Sequence, residues 1–149
     1  MEQDRLTFEG TWMVAEKCLC TNVQRAARSI GRRFDEAFRP LDLTNWQFTL
    51  LVALNRPEPP TINVLAKDLA IDRTTITGSL KPLERRGLVS IKQDATDKRA
   101  RRVELTEAGS ELLQQAYAIW KQVEGAVERD LAIDDIDGFR AGLRAATAV

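Results

Sequence analysis

Two clusters in this 149-residue chain hold side chains suited to gripping a polyanion. Arg73, Thr74, Thr75, Thr77 and Lys81 fall within nine positions, and Asp97, Lys98 and Arg99 follow in a second polar stretch. Threonine hydroxyls bond phosphate oxygens or base edges, and their methyls can touch thymine methyls. Arginine holds a guanine bidentately or a phosphate. Three threonines within four positions make a poor helix on propensity alone, which favours a contact role over surface filling. A third kind of chemistry rests on Cys18 and Cys20, one residue apart. A sensing thiol needs a stabilised thiolate; the competing expectation is a buried, inert cysteine.

The chain has no histidine. That excludes histidine acid–base catalysis, Ser-His-Asp and Cys-His nucleophiles, and most zinc and non-haem iron sites. Two cysteines are too few for a disulfide framework or a four-cysteine zinc site. No enzyme, no metal and no cofactor is expected. Hydrophobic residues at 44% and charged residues at 30% predict a stable globule, and the length is one domain's worth, 1–149. No apolar run approaches the ~20 residues that cross a bilayer. The start, Met1-Glu2-Gln3-Asp4, is no signal peptide, so no membrane partner and a cytoplasmic location are expected.

The net charge is zero but unevenly spread. Residues 67–102 carry 10 basic and 5 acidic groups, whereas residues 103–149 carry 4 basic and 9 acidic. A basic middle before an acidic tail predicts one polyanion-binding face.

The elements that must position these residues follow from periodicity and punctuation. Apolar residues at three- and four-residue spacing from Trp12 to Phe38 predict one amphipathic helix over 11–39, ended by Pro40. Thr44 with Gln47 predicts a capping box opening a helix apolar almost all round, hence buried. Pro57, Pro59 and Pro60 break it. Thr61 caps a third helix and Asp72 a fourth over about 73–86, with Gly87 as its left-handed end and small Ala66 and Ala70 allowing the two to cross closely. Pro82, four residues after Gly78, predicts a bend. Two strands, 88–92 and 102–105, flank a charged loop. Thr106 caps a long helix in which Gly109 is a weak point, and Asp134-Asp135 start a last one. The expected class is mainly α with a small β-hairpin: a winged helix-turn-helix lobe over 44–105, with 11–39 and 106–149 as dimerisation helices. Such a lobe suits B-DNA, its second helix in the major groove and its hairpin at the minor groove or phosphates.

At these residues the sequence resembles the MarR family of bacterial transcriptional regulators. The resemblance is carried in order by Leu43-Thr44-Asn45-Trp46-Gln47-Phe48, Leu65-Ala66-Lys67-Asp68-Leu69, Asp72-Arg73-Thr74-Thr75-Ile76-Thr77, Leu83-Glu84-Arg85-Arg86-Gly87-Leu88-Val89, Asp97-Lys98-Arg99-Ala100-Arg101 and Leu105-Thr106-Glu107-Ala108-Gly109, over about residues 18–115. It implies a homodimer with intertwined terminal helices, gripping a palindromic double-stranded operator. It also implies repression relieved by a small aromatic or anionic effector. Carried over, residues 73–77 and Lys81 read the major groove, Arg99 enters the minor groove, and Asp97 holds the wing arginine. Where many relatives have arginine, this chain has Gly78.

Trp12, Phe34, Trp46, Phe48 and Trp120 are the candidates to line an effector cleft, against the competing reading that each is ordinary core. Cys20 lies near where a hydroperoxide-sensing branch of the family keeps its reactive cysteine. That branch uses tyrosine partners where Phe34 and Asn45 stand here, and the only tyrosine is Tyr117. Two alternatives to the effector-released repressor follow: a thiol-based peroxide sensor, and a winged-helix module that binds protein. DNA binding through several cations weakens steeply with salt, which separates it from the second.

Overall fold

The computed structural model describes residues 5–148; the acidic start at Met1–Asp4 and the final Val149 lie outside the described residues. The order is α1 (Phe8–Lys17), α2 (Leu19–Phe38), a 3-10 turn (Arg39–Leu41), α3 (Asn45–Leu54), α4 (Ile62–Asp68), α5 (Arg73–Arg85), β1 (Val89–Gln93), β2 (Arg101–Leu105), α6 (Glu107–Leu131) and α7 (Ile136–Ala146). The expected class is borne out: helices with one antiparallel hairpin. Among the described residues no helix is long and apolar enough to cross a membrane.

Side-chain caps set most of the starts. Thr44 and Gln47 form the predicted capping box. Thr61, Asp72, Thr106 and Asp135 each accept an N–H from the first turn of the helix that follows. Gly87, at φ 69°, closes α5, and the Leu88 N–H reaches the Leu83 carbonyl at 3.0 Å.

Four expectations are corrected. The first helix is two, starting at Phe8 and broken at Cys18, whose ψ of 107° is extended. The Asn22 side chain donates to the Glu16 carbonyl at 2.9 Å, supplying a bond the break removes. The apolar spacing keeps its phase across the break, so periodicity did not reveal it. Ala70 is no helix-crossing contact: it is exposed, at φ 51°, and forms the turn, where Ile71 N–H bonds the Ala66 carbonyl at 2.9 Å. Val52 of α3 is 49% exposed, although Phe48, Leu50, Leu51 and Leu54 are buried. Gly109 is a requirement rather than a weak point. A Cβ there would lie 1.9 Å from the Leu88 carbonyl oxygen, so the α6 start packs against the β1 start only without a side chain.

The largest fully buried side chains, Phe38, Leu50, Leu51, Leu65, Ile76, Leu80, Leu83 and Val103, all fall between α2's end and β2. The core therefore sits in the lobe. The termini are different: α1 and α7 bury no residue, and Leu6, Phe8, Trp12, Leu19, Val23, Phe139 and Leu143 are exposed. The chain by itself does not cover its own apolar helices.

Candidate nucleic-acid interface

Helix α5 separates its faces at three- and four-residue spacing. Ile76, Leu80 and Leu83 are buried, and Arg73, Thr74, Thr75 and Lys81 are exposed, with Thr77 half-buried. Trp46 fixes this helix to α3 by donating its indole N–H to Ser79 Oγ at 2.8 Å. Arg86 anchors the other end on the Leu41 and Asp42 carbonyls. Gly78 has nothing within 4 Å of a Cβ position, so the outer face is open there.

The threonines are less free than the sequence suggested. Thr75 donates its hydroxyl to Asp72 Oδ2 at 2.6 Å and its N–H to Oδ1 at 2.8 Å. Those bonds, the hydroxyl first, hold the Asp72 carboxyl below the ordinary aspartate value. Thr77 donates to the Arg73 carbonyl at 2.9 Å. Thr75 and Thr77 therefore offer a partner only lone pairs and methyls. At the helix start the Asp72 carboxylate already takes one of the free N–H groups that would otherwise suit a phosphate.

The hairpin pairs Val89 with Leu105, Ile91 with Val103 and Gln93 with Arg101. Its inner edge continues onto the proline linker, where Val103 N–H donates to the Pro60 carbonyl at 2.9 Å. The connecting loop, 94–100, presents Asp97, Lys98 and Arg99 to solvent. Asp97 does hold Arg99, but by its backbone: Oδ1 accepts the Arg99 N–H at 2.9 Å. Arg73, Lys81, Lys98 and Arg99 make no ion pair among the described residues, whereas Lys92 pairs with Glu104 and Arg102 with Asp94. Arg101, exposed on β2 without an ion pair among the described residues, extends the cationic set beyond the residues picked out from the sequence. Asp94 was likewise not picked out from the sequence, although its place in an Asp-x-Thr-Asp turn was the signal available for it.

The five aromatic candidates do not gather into one cleft. Phe34 and Phe48 are core, each against Phe38 with ring centroids 6.0 and 4.8 Å away. Trp46 is spent on Ser79. Trp120 stacks on Tyr117 at 5.7 Å, and Trp12 is exposed beside Phe8. A groove of about 650 Å³ does open between α2 and α6, lined by Ser29, Arg32, Arg33, Glu36, Gln122, Val123 and Ala126, none of them a predicted aromatic. Cys20 is exposed, not buried, and its Sγ accepts from Gln24 Nε2 at 3.3 Å. Cys18, half-buried at the helix break, has its thiol pulled below the ordinary value by the Thr21 hydroxyl and N–H.

A family model described as the MarR family matches residues 41–100. MosR, a transcriptional regulator of M. tuberculosis solved in complex with DNA, is 34% identical, over 89% of this chain and 95% of its own, with a TM-score of 0.80. A second MosR crystal structure is 33% identical over 91% and 99% of the two chains, with a TM-score of 0.75. A cysteine variant of E. coli MarR complexed with operator DNA superimposes with a TM-score of 0.80 at 24% identity, over 89% and 96%, a likeness of fold.

Proposed function

The chain belongs to the MarR family and is a DNA-binding transcriptional regulator, and from that premise we propose how it binds: as a homodimer that grips a palindromic operator with α5 and the hairpin loop of each protomer. In this reading Arg73, Thr74, Thr75, Thr77 and Lys81 meet the major groove, with Lys98 and Arg99, shaped by Asp97, at the minor groove and flanking phosphates. The carrying observation is that Arg73, Lys81, Lys98 and Arg99 are exposed and make no ion pair among the described residues, while on the same hairpin Lys92 and Arg102 are bound to acids. The dimer is supported by α1 and α7, which bury nothing within their own chain. The role is regulatory rather than enzymatic, and its place is the cytoplasm, where the operator is.

Repression relieved by a small aromatic or anionic effector is part of the proposal. The groove between α2 and α6 supports it, since Arg32 and Arg33 stand on its wall. The exposed Cys20 favours a second reading, in which a hydroperoxide oxidises its thiolate to a sulfenic acid and is itself reduced to an alcohol or water. DNA release by peroxide from the unmodified protein but not from Cys20→Ser selects that reading.

Salt tests the DNA contact. On a duplex enriched by the protein from a random library, binding should weaken by about one log unit per log unit of salt for each phosphate contact. A protein that enriches no duplex, or whose binding ignores salt, would leave only the protein-interaction alternative.

A further inference from the structure

The loop that carries Lys98 and Arg99 is built around a buried aspartate. Asp94 is 6% exposed and is the charged residue buried among the described ones. Its Oδ1 accepts the Thr96 N–H at 2.9 Å, the Thr96 hydroxyl at 2.7 Å and the Asp97 N–H at 2.8 Å. Its Oδ2 accepts from Arg102 Nε on the opposite strand. Arg102 in turn donates from Nη1 to the Pro59 carbonyl at 2.6 Å, tying the hairpin to the linker before α4.

A second ring of bonds hangs on the first. With its N–H held by Asp94, Asp97 accepts the Arg99 N–H on its side chain and the Ala100 N–H on its carbonyl, the latter at 2.9 Å. Asp94 N–H reaches the Ala100 carbonyl at 3.0 Å, and Gln93 Nε2 reaches the Lys98 carbonyl at 2.6 Å. A seven-residue polar loop on a two-stranded hairpin has no core of its own. Without these bonds its conformation would be ordered only on contact with DNA, and the entropy of ordering would be subtracted from affinity.

We propose that Asp94, working through Arg102 and Asp97, is a positioning residue for DNA recognition: it fixes the loop in one conformation before DNA arrives, so that Arg99 is presented ready-placed. The proposal rests on the DNA-binding reading above. Asp94 itself touches no nucleic acid, since a buried carboxylate already accepting four hydrogen bonds has no place against a phosphate.

A double-mutant cycle tests it, with the fluorescein-labelled duplex enriched by the unmodified protein as probe. Asp94→Ala should weaken binding by about 5- to 20-fold, the cost of ordering a loop that was preorganised. Asp94→Ala combined with Arg99→Ala should lose clearly less than the product of the two single losses, because the brace acts through the tip and only Lys98 is left there to be placed. Asp94→Asn keeps the Oδ1 acceptor and gives up the charge, so its loss should be smaller and should likewise shrink in the Arg99→Ala background; it carries the cycle if the alanine variant does not fold. Unchanged binding by the single variants, or losses that multiply in the double, would overturn the proposal. Hydrogen exchange gives a reading independent of DNA: the Thr96, Asp97 and Arg99 amides should exchange faster in the Asp94 variants while α6 is unchanged. Unaltered exchange at those three amides also overturns the brace, whereas failure of the unmodified protein to enrich any duplex overturns the DNA-binding reading instead.

Discussion

Two aspartates at the proposed interface spend their carboxylates within the fold. Asp72 accepts from Thr75, and Asp94 accepts from Thr96, Asp97 and Arg102. Asp94 takes Arg102, but neither aspartate pairs with Arg73, Lys98 or Arg99 among the described residues. The Asp94 carboxyl is held well below its ordinary value of 3.8, first by the Asp97 N–H, then by the Thr96 hydroxyl and N–H and by Arg102. Asp72 is lowered too, through Thr75. A depressed carboxyl in the folded state stabilises the protein fully above its unfolded value, and that contribution is lost as pH falls below it. Melting temperature should therefore decline between about pH 5 and pH 3, and Asp94→Asn should flatten the decline. A melting profile with the same acid slope in both proteins would show that Asp94 is not held as described.

At the scale of elements, two glycines with the same residue type make opposite demands. Gly109 opens α6 against the Leu88 carbonyl, where an added Cβ would sit at 1.9 Å from a backbone atom that cannot swing aside. Gly109→Ala should cost about 1–3 kcal/mol or more in denaturant unfolding. Gly78 lies on the outer face of α5 with open space around it, so Gly78→Ala should gain about 0.5–1 kcal/mol from helix propensity. Equal effects of the two would contradict the packing described. The same contrast explains what was legible in the sequence. Caps, turn residues and the inward face of α5 were, because Thr44, Asp72, Gly87 and the Ile76-Leu80-Leu83 spacing act within one or two turns of chain. The demand on Gly109 was not, because Leu88 is brought to it across the hairpin. The break at Cys18 was hidden for a different reason: it leaves the apolar stripe in phase. Within one protomer the aromatic candidates do not gather, because Phe34 and Phe48 go to the core around Phe38, Trp46 to Ser79 and Trp120 to Tyr117. The brace at Asp94 was missed because Arg102 reaches it only across the closed hairpin and Pro59 is joined to Arg102 only when the hairpin meets the linker.

At the scale of the whole molecule, the proposed DNA contacts and the uncovered apolar surface fall on different elements. The lobe holds the largest fully buried side chains together with exposed Arg73, Lys81, Lys98 and Arg99; the terminal helices hold exposed Phe8, Trp12, Leu19, Val23, Phe139 and Leu143. Surfaces of that kind mark an interface. Arg140 binds α7 to α6 through Glu124 and Glu128, while Phe139 and Leu143 of α7 remain exposed. A second copy of the chain would cover those helices and set two lobes in two-fold register, which is what a palindrome requires. Sedimentation velocity with the labelled, protein-enriched duplex tests this most directly. A dimer is expected at micromolar concentration without DNA, and two chains per duplex with it. A monomer in free solution, or one chain saturating each duplex, would contradict it.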